Sequence, residues 1–184
     1  MGNSIIQFKI YLKGINPQIW RRFLVSDFWT FDKLHRIIQK VMGWENYHLY
    51  EFDVNGTKIG LVDDDALNVN PDLKNAKRVR LFEYLDSEGQ RFSYLYDFGD
   101  NWEHEIIIEK MTEDKIEDSH KYPKCIDGKR ACPPEDCRGV RGYEELLEIQ
   151  KNKNHPRYKE LIVSWLGENF DFEEFGVGEV NKRL

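Results

Sequence analysis

One segment of the chain, Tyr94–Glu105 with the sequence YLYDFGDNWEHE, brings together residues whose types could do chemistry. Asp97 and Asp100 could bind a cation, and His104 could act as an adjacent acid or base. Aromatic or apolar residues alternate with polar ones on both sides of the Gly-Asp-Asn stretch, which is the pattern of a β-hairpin with one apolar face. We therefore expect the two aspartates at the hairpin tip and the histidine in the apolar row.

The register of this hairpin decides which side chains share a face. A loop of three residues over 99–101 would place Phe98 opposite Trp102. The same register would place Tyr96 opposite His104, with both aromatic rows on one side of the sheet. A loop of two residues would instead oppose the aromatic row to glutamates, which burial of that row disfavours. The sequence thus predicts the three-residue loop.

A second acidic pair, Glu135 and Asp136, follows two prolines further along the chain. Together with Asp97 and Asp100 it offers the carboxylate oxygens that Mg²⁺ prefers. Both pairs lie in turn-forming segments that join elements of one core, so we expect them to approach each other. The alternative is that these acids only accept backbone hydrogen bonds in their own turns. The candidate polar site comprises Asp97, Asp100, His104, Glu135 and Asp136, with no metal assigned to it.

Three cysteines, Cys125, Cys132 and Cys137, lie close together, and His120 precedes them. A closed structural zinc site needs four such ligands, but its ligands are usually separated by shorter spacers than these. The odd number of cysteines also argues against a disulfide framework and favours a reducing compartment. We therefore expect free thiols that pack in the protein. No cofactor is predicted, with Mg²⁺ at the acidic pairs as the open alternative and zinc as the weaker one.

The composition favours one folded protein in an aqueous compartment. The 184 residues are 40% hydrophobic and 14% aromatic, which is enough for one sizeable core. The formal net charge of -6 argues against a protein that coats nucleic acid nonspecifically. No apolar run approaches the roughly 20 residues of a membrane span, and the N-terminus lacks the pattern of a secretory signal. We expect cytoplasmic residence and no membrane partner.

A basic and aromatic stretch, Trp20-Arg21-Arg22, is a second candidate surface, for phosphate backbones or single strands. The stretch falls on a predicted strand, where consecutive side chains point to opposite faces. The two arginines therefore cannot form one patch, and we expect them to pair with acidic residues instead.

Predicted strands come first in the chain and predicted helices come last. The strands cover 5–12, 18–25, 48–54, 78–84, 92–98 and 102–109. The helices cover 31–42, 143–151 and 156–166, and Asp171 is predicted to cap a last short helix.

This order predicts an α+β fold: an antiparallel sheet of N-terminal and central hairpins with one packed helix, followed by a helical C-terminal part. We expect a single domain over 1–184. It would be sheet-rich over 1–109, form a connecting loop region over 110–141 and be helical over 142–184.

Short motifs spread over nearly the whole chain carry a resemblance to a known family. They are PQIWRR at 17–22, LH at 34–35, GW at 43–44, HL at 48–49, YDFGDNWEH at 96–104 and PPEDC at 133–137. Together they resemble the plasmid pRiA4b ORF-3-like family. One departure concerns the turn after the last motif, where the family continues with a Gly-Gly pair and this chain has Arg138 and Gly139, with Arg141 shortly after.

The resemblance implies a single α+β domain of a kind found in bacteria and archaea. Some members are labelled as passenger proteins of insertion elements with a resolvase-like name. The resemblance therefore implies a mobile-DNA context, with nucleic acid as a partner from that context alone. It implies no activity and no mechanism.

Three functions remain open at this point. The preferred hypothesis is a non-catalytic binding or accessory module whose polar surface lies where the hairpin tip meets the Pro-Pro-Glu-Asp loop. The alternative is a metal-assisted enzyme acting on phosphate esters, in which the acidic pairs hold the ion and His104 relays protons. A third function, direct contact with DNA, rests on the resemblance. Convergence of three carboxylate oxygens within about 4 Å of one point would favour the metal.

Overall fold

An eight-stranded β-sheet organises the computed structural model, which describes residues 4–62, 70–113 and 121–184. The strands are β1 Ser4–Leu12, β2 Trp20–Ser26, β3 Tyr50–Val54, β4 Thr57–Gly60, β5 Lys74–Asn75, β6 Arg91–Tyr96, β7 Trp102–Glu113 and β8 Lys124–Lys129. Their order across the sheet is β5-β4-β3-β6-β7-β1-β2-β8. Neighbours are antiparallel except β4 and β5, which are parallel. The protein thus combines helices with a large, mainly antiparallel sheet.

Helix α1, Phe31–Met42, begins and ends where the sequence predicts. The Thr30 hydroxyl accepts a hydrogen bond from the backbone N–H of Lys33, and Gly43 has a φ of 108°, which favours glycine. The buried residues of the helix recur at helical spacing, so one face packs against the sheet and the other faces solvent. Helix α1 therefore covers the hydrophobic face of the central strands.

The hairpin of β6 and β7 contributes its aromatic row to the core, but the predicted register is wrong. Tyr96 pairs with Trp102 and Tyr94 pairs with His104, so the loop has five residues, 97–101. Phe98 is left 54% exposed. The strand ends two residues early because Asp97 adopts a φ of 57° and begins the turn. A shift of two residues keeps each side chain on the same face, so both aromatic rows are still buried together.

Three other predictions for the sheet also differ from the structure. Strand β8 lies inside the region predicted as a connecting loop, and β7 continues to Glu113. In place of the strand predicted over 78–84 there is a 3₁₀ turn, Leu81–Glu83, and an isolated bridge between Thr30 and Arg80. Strand β8 gives no hydrophobic signal because Cys125 is its only buried residue. The parts of the predicted loops that fall on 63–69 and 114–120 lie outside the described residues.

The C-terminal part contains helix α2 Gly139–Gln150, a π-helix Lys159–Gly167 and helix α3 Val177–Arg183. Gly176, not Asp171, precedes α3, because the Asp171 carboxylate accepts the backbone N–H of Glu173 in a separate turn. No helix among the described residues is long and apolar enough to cross a membrane.

Candidate functional site

His48 lies between α1 and β3, and its Nε2 atom faces three carboxylates. The distances from Nε2 are 3.3 Å to Asp136 Oδ1, 3.5 Å to Asp97 Oδ2 and 3.9 Å to Glu135 Oε2. One ligand atom from each of His48, Asp97 and Asp136 lies within 4.8 Å of the others. We call these four residues, His48, Asp97, Glu135 and Asp136, the His48 cluster.

Asp97 is positioned by the hairpin turn and by the strand beside it. Its backbone N–H donates to the carbonyl of Leu49, which holds the hairpin tip next to His48. Its Oδ1 atom accepts the N–H groups of Gly99 and Asp100 at 2.8 and 3.2 Å. These bonds engage one carboxylate oxygen within the turn, so the other, Oδ2, is the oxygen that faces His48.

Glu135 reaches the cluster from the Pro-Pro-Glu-Asp loop. Its Oε1 atom accepts hydrogen bonds from the Tyr96 hydroxyl at 3.0 Å and the Glu45 N–H at 2.9 Å. Burial raises the pKa of the Glu135 carboxyl, and these two hydrogen bonds oppose that rise. The neighbouring Asp136 side chain is 72% exposed, so the cluster has a buried side and a solvent side.

Two buried atoms of the cluster have no hydrogen-bond partner, namely His48 Nε2 and Glu135 Oε2. Buried polar atoms nearly always have a hydrogen-bond partner, so each exception needs a physical explanation. Within the described parts of the chain, the carboxylates of Asp97, Glu135 and Asp136 form ion contacts with His48 and with no lysine or arginine. Even a protonated imidazole would leave excess negative charge, so the cluster suits a cation.

The geometry of the cluster fits a divalent first-row ion. Two ligands of a tetrahedral ion, each about 2.1 Å from it, are separated by about 3.4 Å. The contacts of His48 Nε2 with Asp136 and Asp97 measure 3.3 and 3.5 Å. Imidazole together with carboxylates suits Zn²⁺, Mn²⁺ or Fe²⁺ better than Mg²⁺, which prefers oxygen donors alone. His48, Asp97 and Asp136 are therefore the residues that could hold a metal, with Glu135 as a fourth donor.

Non-glycine residues at positive φ concentrate around the cluster. Five of the seven in the described residues lie in its connections, namely Asn46 at 62°, Asp97 at 57°, Asn101 at 55°, Asp136 at 55° and Arg138 at 73°, whereas Asn55 and Arg130 lie elsewhere in the chain. Asparagine and aspartate tolerate this conformation, but for arginine it is costly. Such backbone strain tends to persist at functional sites, where the surrounding structure holds it in place.

Asp100 connects the hairpin tip to helix α2 and lies outside the cluster. Its Oδ2 atom accepts the backbone N–H of Arg138 at 3.0 Å. A Cβ atom on Gly139 would lie 2.4 Å from the Asp100 carbonyl oxygen, so only glycine allows this approach. Of the Gly-Gly pair implied by the resemblance, the second glycine is therefore required here. Arg138 occupies the first position at a positive φ that glycine would adopt without strain.

His104 is also outside the cluster. It is fully buried, and its Nδ1 atom bonds the carbonyl oxygen of Tyr94 rather than an acid of the hairpin. Burial lowers the pKa of His104 to about 4. A proton relay from His104 to a ligand is thus incompatible with the structure, because the imidazole contacts neither solvent nor the cluster.

The structure brings Asp97, Glu135 and Asp136 of the predicted polar site together around His48. The Asp100 carboxylate, in the same turn as Asp97, bonds the Arg138 N–H instead, and His104 lies in the core. The sequence reasoning missed His48. It placed this histidine in a strand over 48–54, whereas the strand begins at Tyr50 and leaves His48 in the connection before it. The available signal was the His-Leu motif at 48–49, because a histidine in a connecting segment is a stronger functional candidate than one in a core strand.

The three cysteines are free thiols, and Cys137 directly follows Asp136 of the cluster in the sequence. Cys125 and Cys137 are buried and Cys132 is partly so. Burial raises the pKa of Cys137 to about 12, which makes it a poor nucleophile. His120, the fourth residue of the zinc alternative, lies outside the described residues.

The two consecutive arginines of β2 point to opposite faces, as predicted. Arg21 is buried and donates to the carbonyl oxygens of Val41 and Lys129. Arg22 pairs with Glu109 and Asp127 on the other face. Neither guanidinium is available to a phosphate backbone, so this stretch is structural.

Comparisons with known proteins agree with the fold and the motifs. The chain matches the family of plasmid pRiA4b ORF-3-like proteins over residues 4–179, and it belongs to that family. A relative from Sinorhizobium fredii (strain NBRC 101917 / NGR234), the uncharacterized protein y4hQ, is 34% identical over all of this chain and 92% of its own length. The crystal structure of MM3350 from Methanosarcina mazei Go1, a protein of unknown function, is 40% identical, with a TM-score of 0.86 over 97% of this chain and 98% of that one. Neither relative indicates a catalytic function.

Proposed function

We propose that the protein is a divalent-metal-binding module, with the ion held by His48, Asp97 and Asp136 and with Glu135 beside it. The observation that supports this most strongly is the buried His48 Nε2, which has no hydrogen-bond partner and has three carboxylates 3.3 to 3.9 Å away. The proposal departs from the expectation of no metal, which considered the carboxylates with His104 as an adjacent acid or base and without His48 as a ligand.

The surroundings of the cluster support a binding role for the same face. Tyr47, Leu49 and Phe98, which adjoin cluster residues in sequence, are 72%, 55% and 54% exposed. A cavity of about 220 Å³ borders Asp136 and is also lined by Arg138 and Trp165. Exposed apolar groups beside a polar centre are typical of interaction sites. The ion would thus be reachable by a partner or small ligand with an apolar part, in keeping with a binding module.

Metal-assisted hydrolysis of a phosphate ester is the second candidate function. It is favoured by the exposure of Asp136, because an ion bound there would keep coordination positions for water, and bound water is a nucleophile at neutral pH. The acid or base would be Glu135, whose pKa is raised by burial, in place of His104. Turnover of bis(p-nitrophenyl) phosphate by the zinc- or manganese-loaded protein, lost in Glu135→Gln, would support this activity.

Calorimetric titration of metal-free protein with ZnCl₂, MnCl₂ and MgCl₂ tests the main proposal. We expect one ion per chain, with zinc or manganese bound more tightly than magnesium. Asp97→Asn removes a charged ligand but keeps an oxygen for the turn, and it should weaken binding at least about tenfold, as should His48→Ala. Asp100→Asn is the matched control, because Asp100 lies in the same turn as Asp97 but its Oδ2 atom accepts the Arg138 N–H and does not face His48. Unchanged affinity in His48→Ala, or no binding by the folded wild type, would contradict the proposal.

A further inference from the structure

Two exposed phenylalanines form a stacked pair at the end of the molecule where α1 begins. Phe28 and Phe82 are 49% and 42% exposed, and their ring centroids are 6.0 Å apart at an interplanar angle of 23°. The Arg80 guanidinium lies 4.0 Å from the centroid of the Phe28 ring. Single exposed apolar residues are ordinary, but adjacent exposed aromatic rings beside a cation are a feature of binding surfaces.

The chain segment that carries Phe82 also brings positive charges to this pair. It runs beside the start of α1, with hydrogen bonds from Phe82 N–H to the Asp27 carbonyl and from Phe31 N–H to the Val79 carbonyl. The Asp32 N–H also donates to the Ala76 carbonyl, so the backbone of Lys77 and Arg78 runs beside the turn of α1 that carries Lys33. We call Phe28, Lys33, Lys77, Arg78, Arg80 and Phe82 the Phe28–Phe82 patch.

Two carboxylates of the same chain segments have partners other than the side chains of the patch's cations. Glu83 accepts the backbone N–H of Arg80 at 2.6 Å, and Asp32 pairs with Arg36 at 2.9 Å. In the part of the chain that the structure describes, Lys33, Lys77 and Arg78 form no ion pair. The four cations of the patch thus outnumber the three carboxylates of the same two segments, Asp27, Asp32 and Glu83, on a chain whose net charge is -6.

We propose that the Phe28–Phe82 patch binds single-stranded nucleic acid, with bases stacked on the two phenylalanine rings and phosphates held by the lysines and arginines. Unpaired bases expose the flat faces that aromatic side chains bind, and their backbone supplies the negative charge that the cations complement. In a duplex the bases stack on each other, so their faces are not available to the protein. The acidic side chains of a peptide have no aromatic face that could stack on the phenylalanine rings. The patch is separated from the His48 cluster by the length of α1, about 18 Å, so the two sites can be tested independently.

Fluorescence anisotropy with a labelled oligo(dT) of about 12 nucleotides tests the proposal on the full chain, with oligo(U) as the RNA arm. We expect binding whose logarithmic salt slope is about -2 to -3, as four phosphate contacts to a single strand predict. Phe82→Ala should lower the affinity about fivefold or more through lost stacking. Lys77→Glu should weaken binding and reduce the slope by at least about 0.7.

Two matched variants control for nonspecific effects. Phe98→Ala removes an equally exposed phenylalanine elsewhere, and Lys153→Glu reverses an equally exposed charge outside the patch, so both should bind like the wild type. Circular dichroism confirms that each variant is folded. The proposal would be overturned by no binding at low salt, by wild-type affinity in folded Phe82→Ala, by equal affinity for a duplex, or by equally effective competition from polyglutamate.

Discussion

Two histidines in this molecule have opposite surroundings. His35, on α1, is 2% exposed, and both ring nitrogens have partners, the Tyr94 hydroxyl at 2.8 Å and Asn46 Oδ1 at 2.5 Å. His48 is only partly buried, and its Nε2 has three carboxylates nearby but no hydrogen bond. A fully partnered buried group stabilises one conformation of the core, whereas an unpartnered one beside excess charge is free to bind something else.

The difference extends to the residues around each ring. Tyr50 stacks on His35 with centroids 3.6 Å apart, and Gln39 donates to the Tyr94 hydroxyl at 3.0 Å. The Gln39 side chain also accepts the backbone N–H of Asn46, so the network closes on itself. Burial lowers the pKa of His35 to about 4, which keeps this ring neutral in the folded protein at neutral pH. The His35 network is therefore complete without a ligand.

Replacing each histidine by alanine should give the largest contrast in stability. His35→Ala leaves a cavity and unpaired buried groups, so we expect the free energy of unfolding to fall by about 2–4 kcal/mol. His48→Ala removes one ring contact, with Tyr96, and an unpartnered atom, so its effect should stay within about 1 kcal/mol. Urea unfolding in EDTA measures both. The reverse order would mean that His48, and not His35, holds the fold.

Low pH should destabilise the folded protein through its two buried histidines, His35 and His104. The pKa values of His35 and His104 are lowered to about 4 in the folded protein, against about 6.5 in an unfolded chain. The unfolded state thus binds more protons between these values, so stability is lost as pH falls from about 6.5 to about 4, by up to about 3 kcal/mol per histidine. In His104→Leu the slope of unfolding free energy against pH should be about half as steep. Equal slopes in the two proteins would contradict this account.

Bound metal should raise the free energy of unfolding, and the size of the rise should depend on His48. At a free zinc concentration about 100 times the dissociation constant, the free energy of unfolding should rise by about 2.7 kcal/mol. The same increment should appear in His104→Leu and fall to about half or less in His48→Ala, because only the latter lacks a ligand and binds at least about tenfold more weakly. Urea unfolding with and without zinc measures the increment. Equal stabilisation of His48→Ala would place the ion elsewhere, for example at the cysteines.

The smallest expected effect concerns the strained turn beside the His48 cluster. Arg138→Gly relieves a φ of 73°, so we expect a gain of about 0.5–1 kcal/mol after the added entropy of the unfolded glycine. Arg138→Ala keeps the strain and should give no gain, which separates backbone from side-chain effects. Thermal unfolding of the pair measures the difference. A destabilised Arg138→Gly would show that the arginine side chain itself holds the turn.

Features of the fold that depend on neighbouring residues in the sequence could be predicted. Helix α1 follows from Thr30, Gly43 and its apolar spacing, and the shared face of β6 and β7 follows from alternation. Strand β8 could not be predicted, because an edge strand with one buried residue has no periodic signal. The predicted register of β6 and β7 is wrong because the Asp97 carboxylate accepts two N–H groups. These bonds start the turn earlier than the apolar alternation indicates.

The candidate site was predictable only in part for a similar reason. Turn chemistry and prolines indicate that Asp97, Glu135 and Asp136 lie at exposed connections, and connections of one core tend to meet. His48 lies in a third connection, between α1 and β3, and tertiary packing brings it to these acids. The local sequence pattern does not encode that packing. The burial of His104, in contrast, was predictable, because the alternation along β7 places it in the apolar row.

Anomalous diffraction from crystals soaked in zinc or manganese tests the central claim most directly. We predict one peak at the metal absorption edge, about 2.1 Å from His48 Nε2 and from carboxylate oxygens of Asp97 and Asp136. Crystals of Asp97→Asn, soaked in the same way, should lose that peak while Asp100→Asn keeps it. A fully occupied peak at the cysteines, or no peak between His48 and its carboxylates, would contradict the account.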